Sequence, residues 1–479
     1  MRIDRGLGLA ALLLVAGLLV HLPALVQHHD PFNSDEAYLA TQAQVVDHGG
    51  ALYYDTVDRK PPLVPLVYAA VFEITGTDTL LWVRLAAILA EVVAAYLLAV
   101  EARRRFGEDR AAPIAGLLLV ASTGAFFAKD FQTANFEAFM LPAAVAAVLL
   151  ANRSRYAESG VAAAVATLCQ QTGATVLLPL AWLAWRARPR ARALVMLAAG
   201  FVVPILATAL VFGWSAFTHW VFTSNTGYLD ASGVWGYVIR LGLRQTWYFV
   251  LAHLAIVVLA LMTIRRAREH VDLWLWLLGG LIAVGSGLRF FGHYYLVLLA
   301  PLSLLATIPL LRVSWKLLAV VGASIVVTVG YFAWPALVYT PSHTVRVGEE
   351  LAHYVKEHTS KGDRVLVWGH LPEVYWRSGI PPATRFATTG FLTGLSGGRP
   401  SWRTGMQYAA PGAWDAFDRD LRAHPPALIF DLSPANVRDQ GHSPPSKFPR
   451  FGDYLARNYE RVGVVDGVPV YAPRTVRTK

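Results

Sequence analysis

Repeated apolar runs constrain this chain more than any other feature of its sequence. Most of them approach the roughly 20 residues that a helix needs to cross the hydrocarbon core of a membrane. Of the 479 residues, 55% are hydrophobic and only 15% are charged, which is unlike an ordinary soluble protein. The sequence therefore predicts an α-helical polytopic membrane protein. The runs begin near Leu7, Leu80, Ala112, Phe136, Gly160, Ala193, Thr246, Val271, Tyr294 and Trp315.

The basic residues orient these runs. Although the formal net charge is +10, the basic residues sit in short clusters between apolar runs, as in the cytoplasmic loops of membrane proteins. We find no basic face or nucleic-acid-binding motif, so no nucleic-acid partner is expected. The positive-inside rule predicts a cytoplasmic N-terminus and places these clusters in the cytoplasm. The clusters are Arg103 to Arg105, Arg153 with Arg155, residues 186–192, residues 265–268, and Arg312 with Lys316.

Two segments fit this orientation only if neither crosses the membrane as a single helix. Pro61–Gly76 is short and rich in proline, so we expect a helix at the outer interface. Gly160–Trp185 has basic clusters at both ends and "QQTG" in its middle, so we expect two short helices that return to the cytoplasm. This topology has about 11 transmembrane helices and places residues 28–79 in a first outer loop.

Near Tyr339 charged residues become frequent again, and no later apolar run is long enough to span a membrane. We therefore assign residues 1–338 to a membrane domain and residues 339–479 to a soluble outer domain. Its spacing predicts helices over 347–359 and 451–463, and buried strands over 364–369, 427–432 and 467–473. Alternation of helices and strands indicates a small α/β fold.

The first outer loop concentrates carboxylates. Asp35 and Glu36 are adjacent, follow the first apolar run closely and precede a segment with helical spacing. Two neighbouring carboxylates at a partly dehydrated membrane surface favour a general base or a metal ligand, and a divalent metal is left open. For Asp47, Asp55 and Asp58 the simplest interpretation is a solvated loop, because acidic side chains are usually exposed.

A second polar set shares this outer side in the predicted topology. Its members mark the outer ends of helices that are far apart in sequence. Interfacial anchoring is one interpretation, and a cationic cup that binds phosphate at the membrane surface is the other. The set consists of Lys60, Lys129, Asp130, Glu137, Arg289, His293, Tyr294 and Tyr295.

An acidic pair opposite such cations suits the transfer of a sugar from a lipid phosphate. The leaving phosphate needs cations for its developing charge, whereas the incoming hydroxyl or amine needs a base. The sequence lacks a phosphate-binding lysine loop, a dinucleotide fingerprint and zinc-protease spacing. This agrees with a donor that is already in the membrane.

Several segments, taken in order, resemble a known superfamily. They include "SDEAYLATQA", "YYDTVDRKPPLVPLVYAAVFEITG", "FQTANFEAFMLP", "TLCQQTGATVLLPLAWL" and "RFFGHYYLVLLAPL". The chain resembles the GT-C membrane glycosyltransferases, specifically the bacterial branch related to protein O-mannosyltransferases and the aminoarabinose transferase of lipid A, families 39 and 83. The resemblance covers nearly the whole chain.

The resemblance implies roles for individual residues. Asp35 would be the general base and Glu36 would support it, while Lys60 and the region of Arg289, His293 and Tyr294 would hold the lipid phosphate. Many relatives carry a lysine at the "QQTG" turn, where this chain has glutamines. Further candidates for substrate binding are Asp55, Lys129, Asp130, Glu137 and Gln171.

We therefore expect a glycosyltransferase in the bacterial plasma (inner) membrane. It would move a hexose or pentose, with inversion, from a polyprenyl-phosphate sugar donor to an extracytoplasmic glycan, lipid or protein acceptor. The alternative is a polytopic transporter or a flippase for lipid-linked sugars, but such proteins typically show internal repeats and helices broken at mid-membrane.

Overall fold

The computed structural model describes residues 2–338 and 341–474, so the predicted domain boundary at Tyr339 lies outside the described residues. Most of the described chain is helical. The helices of the first part are α1 Arg2–Val20, α2 Leu22–Val26, α3 Ser34–Asp47, α4 Leu63–Thr75, α5 Leu81–Phe106, α6 Ala111–Ser122, α7 Ala128–Phe131, α8 Phe136–Ala151, α9 Tyr156–Cys169, α10 Leu177–Arg186, α11 Arg190–Val211, α12 Trp214–Thr218, α13 Asn225–Leu229, α14 Trp235–Ala252, α15 Leu254–Leu261, α16 Val271–Ser286, α17 Leu299–Leu310 and α18 Trp315–Leu337. Short 3₁₀ segments cover Gln171–Val176, Ile264–Glu269 and Gly292–Leu298, and a π-helical turn covers His219–Thr223.

The helices form a bundle whose centre and periphery can be recognised by burial. Helix α17 is apolar and buried on nearly all sides, as expected for a helix at the centre of a bundle. None of the side chains of α18 is buried, and α11 is almost as exposed, although both helices are strongly apolar. Exposed apolar helices of this kind are typical of a membrane-facing surface.

Fewer helices are long and apolar enough to span a membrane than the sequence predicts. Within residues 2–338 and 341–474, four helices are long and apolar enough to span. A fifth span results if α14 and α15, which are bent by 89° at their junction, are counted as one. Other apolar helices, including α6, α8, α9 and α16, are shorter. The count of 11 therefore remains a prediction.

Helix α5 connects two chemically different ends of the bundle. Near its start Arg84 binds Glu36 of α3, and near its end Arg105 binds Asp272 at the start of α16. Its 26 residues extend about 39 Å at 1.5 Å per residue, and Gly107 ends it in the left-handed conformation. The arginine-rich end of the bundle is thus roughly one membrane thickness from the end that carries α3.

Both segments that the sequence sets apart from ordinary spans are distinct in the structure. Helix α4 has 13 residues and packs beside α3 and α5. The chain between α9 and α10 breaks at Gln170, as the "QQTG" motif predicts. At the break, Gly173 lies so close to α9 that a Cβ there would come within 2.4 Å of the Ala166 carbonyl oxygen.

Residues 341–474, which belong to the predicted outer domain and keep that name below, contain a four-stranded sheet. The elements of this part are α19 His343–His358, β1 Val365–Trp368, α20 Glu373–Ser378, α21 Gly390–Thr393, α22 Ala413–Ala423, β2 Leu428–Asp431, α23 Pro449–Asn458, β3 Tyr459–Val465 and β4 Val468–Pro473. The sheet has the order β1–β2–β4–β3, with β1 and β2 parallel and the remaining pairs antiparallel. Short 3₁₀ segments cover Met406–Tyr408, Val437–His442 and Pro445–Lys447.

One predicted element of this domain is wrong in part. The predicted helix over 451–463 ends at Asn458, and Tyr459–Val465 forms the edge strand β3. Helical spacing continues past this point, but pairing with β4 and the aromatic and β-branched residues of the segment favour a strand.

Helix α3 attaches the outer domain to the bundle. The hydroxyl of Thr41 donates to the carbonyl of Pro372 at 3.0 Å, and the amide of Gln44 donates to the carbonyl of Trp376 at 2.9 Å. The indole of Trp376 in turn donates to the carbonyl of Thr77 at 2.8 Å. These bonds attach the outer domain to the second half of α3, the helix whose first turn carries the predicted acidic pair.

Candidate active site

A cavity of about 740 Å³ lies between the bundle and the outer domain. This volume suits a substrate-sized ligand. The bundle contributes Asp35, Asp58, Lys60, Asp130, His293 and Tyr294 to its lining, and the outer domain contributes His370, Arg399 and Arg438. Residues from both parts of the chain therefore surround one space.

Asp35 lies in the first turn of α3 with its carboxylate open to the cavity. The side chain of Asn33 caps the helix by accepting from the amides of Asp35 and Glu36 at 3.0 and 3.2 Å. The Asn135 amide donates to Asp35 Oδ2 at 3.3 Å, and His293 Nε2 lies 3.9 Å from the same oxygen. The side chain remains 44% exposed, so it is oriented without being enclosed.

Lys60 provides a cation in the lining of the same cavity. Its ammonium lies 5.3 Å from the ring centre of Phe136 and 5.6 Å from that of Tyr294. It has no hydrogen-bond or ion-pair partner in the part of the chain that the structure describes. A cation held only by aromatic faces is available to an anionic ligand.

Asp58 is placed differently from the solvated loop residue that its sequence suggests. It is half-buried and lines the cavity. Burial raises its pKa from 3.8 to about 6, and the charge of Asp35 adds to the rise. Lys60 and a bond of 2.6 Å from the Arg59 amide oppose it. The expectation failed because the loop folds under the outer domain.

Asp130 and His293 line the cavity together with Asp35 and Asp58. Asp130 packs against Gly292, where a Cβ would come within 2.6 Å of its carboxylate. Burial raises the pKa of Asp130, while His293 and Lys129 act against the rise. The His293 ring stacks on Phe291 with 5.5 Å between ring centres.

Glu36 does not line the cavity. Its side chain is fully buried on a different face of α3, where it forms an ion pair with Arg84. Glu36 can therefore support Asp35 only indirectly, by fixing the position of α3.

Arg289 is also absent from the lining. Its guanidinium lies 3.9 Å from the ring centre of Tyr228 and donates to the carbonyls of Tyr228 and Gly397 at 2.5 and 3.0 Å. Only 2% of the residue is exposed. A direct role for Arg289 in phosphate binding would need these bonds to rearrange.

The other predicted substrate residues are dispersed. Asp55 accepts from the Ala51 amide within an exposed turn, and Lys129 is exposed. Glu137 is buried at the start of α8, and neither carboxylate oxygen has a partner in the described chain. Gln171 lines the cavity, but its amide donates to the carbonyls of residues 59 and 221 at 2.6 and 3.0 Å.

The outer-domain residues of the lining were not predicted. Arg438 forms an ion pair with Glu373 at 2.7 Å and donates to the carbonyl of His370. Burial, reinforced by the charge of Arg438, lowers the pKa of His370 to about 4. Arg399 is 6% exposed and follows two glycines in the segment "GLSGGRPSWRTG". No local sequence pattern predicts these contacts, because they form only when the outer domain docks on the bundle.

Metal ligands are not clustered in the described parts of the chain. Within them, no group of three or more histidine, cysteine, aspartate or glutamate side chains lies close enough to hold a metal ion. No metal is therefore assigned to the cavity.

Comparison with known proteins gives a family match and a shared fold. Residues 61–288 match glycosyltransferase family 87. No curated protein sequence matches the chain.

The solved structures agree over almost the full length. ArnT from Cupriavidus metallidurans bound to undecaprenyl phosphate is 15% identical with a TM-score of 0.62, and the match covers 97% of this chain and 98% of that one. Its apo form gives a TM-score of 0.64 at the same identity and coverage. The Archaeoglobus fulgidus oligosaccharyltransferase in the apo form is 12% identical with a TM-score of 0.59, covering 98% of this chain and 75% of that one.

The fold is therefore shared with these structures, as the resemblance to the GT-C superfamily implies. Residues 61–288, somewhat less than half of the chain, are similar to a glycosyltransferase family, which agrees with that resemblance.

Proposed function

We propose that the protein is a GT-C membrane glycosyltransferase that moves a sugar from a polyprenyl-phosphate donor to an acceptor outside the cytoplasm, with Asp35 as general base. The observation that carries the proposal is one cavity lined both by the open carboxylate of Asp35 and by the ammonium of Lys60, which has no hydrogen-bond or ion-pair partner among the described residues. The similar ArnT structure contains undecaprenyl phosphate, which supports a lipid phosphate as the leaving group.

The proposed reaction is a single displacement at the anomeric carbon. The acceptor oxygen or nitrogen attacks that carbon and gives its proton to the Asp35 carboxylate. The bond between the anomeric carbon and the phosphate oxygen breaks, and polyprenyl phosphate leaves with the electron pair. Attack on the face opposite the leaving group inverts the anomeric configuration.

Asp35 suits the base better than the two other carboxylates of the lining. Asp58 and Asp130 are more enclosed, and burial raises the pKa of each. Asp35 is the more exposed group and therefore the more accessible to an acceptor, and the Asn135 amide donates to its carboxylate. Lys60 would balance the charge that develops on the departing phosphate.

The two-ended bundle supports the proposed orientation. The arginines that end α5 lie at the face opposite α3 and the cavity. Because basic residues are retained in the cytoplasm, that face would be cytoplasmic and the outer domain extracytoplasmic. We retain a cytoplasmic N-terminus, about 11 crossings and the bacterial inner membrane as parts of this proposal. The acceptor would be a glycan, lipid or protein of the cell envelope.

The decisive experiment follows donor consumption by mass spectrometry with a panel of polyprenyl-phosphate sugars. Asp35→Asn should lower turnover by about 10² to 10⁴, the usual contribution of a general base. Asp47→Asn is a matched control, because Asp47 ends the same helix, is exposed and does not line the cavity. Near-normal turnover by Asp35→Asn would remove Asp35 from the mechanism.

The same assay separates the transporter or flippase alternative. A flippase moves the lipid-linked sugar across the membrane but leaves its glycosyl phosphate bond intact. Release of polyprenyl phosphate by the purified protein would therefore contradict that alternative. Translocation in vesicles with no bond cleavage would contradict glycosyl transfer.

A further inference from the structure

Arg399 is a buried cation in the wall of the cavity with unsatisfied donors. Its Nη1 donates to the carbonyls of Leu288 and Gly398 at 2.6 and 3.0 Å. Its Nε and Nη2 are buried and have no partner among the described residues. These two nitrogens form one edge of the guanidinium, which matches two oxygens of a single oxyanion.

The charges around Arg399 favour an anion rather than a water molecule. The charged groups that act on it are Arg289, Arg403 and Asp230, and Asp230 is already paired with Arg403. Burial beside these cations lowers the pKa of Arg399 to about 10. Three guanidiniums and one carboxylate leave about two positive charges, which a phosphate dianion would balance.

The segment that carries Arg399 is fixed to the bundle by reciprocal bonds. Arg289 donates to the carbonyl of Gly397, while Arg399 donates to the carbonyl of Leu288. Leu288 and Phe290 have φ angles of 52° and 50°, in a region that side chains other than glycine rarely adopt. Strained backbone of this kind is often retained where it positions a functional group.

We propose that the Nε and Nη2 edge of Arg399 forms a second phosphate subsite in the outer wall of the cavity. It is separate from the subsite at Lys60 that the proposed function assigns to the donor's first phosphate, and it rests on that function. The second phosphate has two sources. It is either the additional phosphate of a polyprenyl diphosphate donor or a phosphate carried by the acceptor.

The test measures ligand affinity for purified full-length protein and two Arg399 variants. The probes are polyprenyl monophosphate, polyprenyl diphosphate, and inorganic phosphate added to protein already saturated with polyprenyl monophosphate. Arg399→Gln removes the charge, and Arg399→Lys keeps it without the two-pronged edge. Arg385→Gln is the control, because Arg385 is a partly buried arginine of the outer domain that does not line the cavity and is not among the charged groups that act on Arg399. Thermal unfolding of each variant checks the fold.

Arg399→Gln should change affinity for polyprenyl monophosphate by less than about twofold. It should weaken the binding of one other probe, either polyprenyl diphosphate or inorganic phosphate, by roughly tenfold to more than a hundredfold, as expected for a charged hydrogen-bond pair. Selective loss of diphosphate affinity assigns the subsite to the donor, and selective loss of inorganic phosphate assigns it to the acceptor. Arg399→Lys should recover only part of either loss.

Two results would overturn the proposal. One is unchanged affinity of Arg399→Gln for every probe, and the other is an equal loss for polyprenyl monophosphate, which would make Arg399 part of the first subsite. Failure of the parent protein to bind polyprenyl monophosphate would instead count against the proposed function. In that case, inorganic phosphate added alone to the parent and Arg399→Gln still tests the second subsite.

Discussion

The ion pair between Glu36 and Arg84 gives a sharp test of what the acidic pair does. Both side chains are 0% exposed. The Glu36 carboxylate accepts from Arg84 Nε and Nη2 at 3.0 and 2.8 Å, and from the amides of Phe32 and Ala134 at 2.8 and 2.9 Å. All four contacts connect α3 to neighbouring segments and none reaches the cavity.

The expected magnitude follows from this burial. Glu36→Gln preserves shape but removes the negative charge and leaves the Arg84 guanidinium buried without a counter-ion. Breaking a buried pair in this way typically lowers the free energy of unfolding by about 3 to 5 kcal/mol. Asp35→Asn alters a side chain that is 44% exposed, so a change within about 0.5 kcal/mol is expected.

The assay compares unfolding and turnover for the two variants. Thermal unfolding in detergent can be followed by the fluorescence of the 15 tryptophans, and turnover by donor consumption. We expect Glu36→Gln to lose stability first and activity in proportion, whereas Asp35→Asn should lose activity alone. A Glu36→Gln protein with the parent's unfolding temperature and no turnover would refute this reasoning and make Glu36 a direct participant.

Three further predictions concern the cavity and its orientation. Lys60→Ala should weaken the binding of polyprenyl phosphate by roughly tenfold or more. The unfolding temperature should not change, because the ammonium has no ion-pair partner in the described residues. Ligand titration measures the affinity, and thermal melts measure the unfolding temperature. Burial favours protonated Asp58 in the folded state, so the stabilising contribution of this group, up to about 3 kcal/mol, is complete below about pH 4 and disappears as the pH rises through 6. In Asp58→Asn, the unfolding temperature should therefore depend less on pH across that range. An unchanged pH dependence would contradict the prediction. After Cys169 is replaced, a cysteine at exposed Ser360 should react with an impermeant maleimide on intact cells, whereas one at exposed Ser154 should react only after permeabilisation. The reverse pattern would invert the orientation.

Local signals in the sequence predict much of the fold. The apolar runs give most of the long helices, and the break at "QQTG" appears where the glutamines interrupt α9 and α10. Three strands of the outer sheet match predicted segments, because buried strands form short apolar runs between polar turns. The edge strand β3 was missed, since a mostly exposed strand lacks the apolar alternation that identifies one.

The site is predictable only where its residues lie at the outer ends of helices. Asp35, Lys60 and His293 could be grouped from topology alone, and the structure brings them to one cavity. The sequence does not distinguish Asp35 from Glu36, because adjacent helical residues differ by about 100° in direction and the position of Arg84 is unknown without the fold. The sequence suggests Arg289 for the cavity, whereas Arg399 lines it in the structure, because the docking of the outer domain cannot be predicted from local signals.

Helix α3 explains why the two parts of the chain cannot be assigned separate tasks. Asp35 is directed to the cavity, Glu36 to the bundle through Arg84, and Gln44 to the outer domain through the carbonyl of Trp376. One short helix therefore carries the proposed base and both of the contacts that set its position. Because turnover is sensitive to displacements of about 1 Å at a catalytic group, movement of the outer domain would change the distance between Asp35 and its substrate. The outer domain thus forms a structural part of the candidate active site, in addition to supplying Arg399.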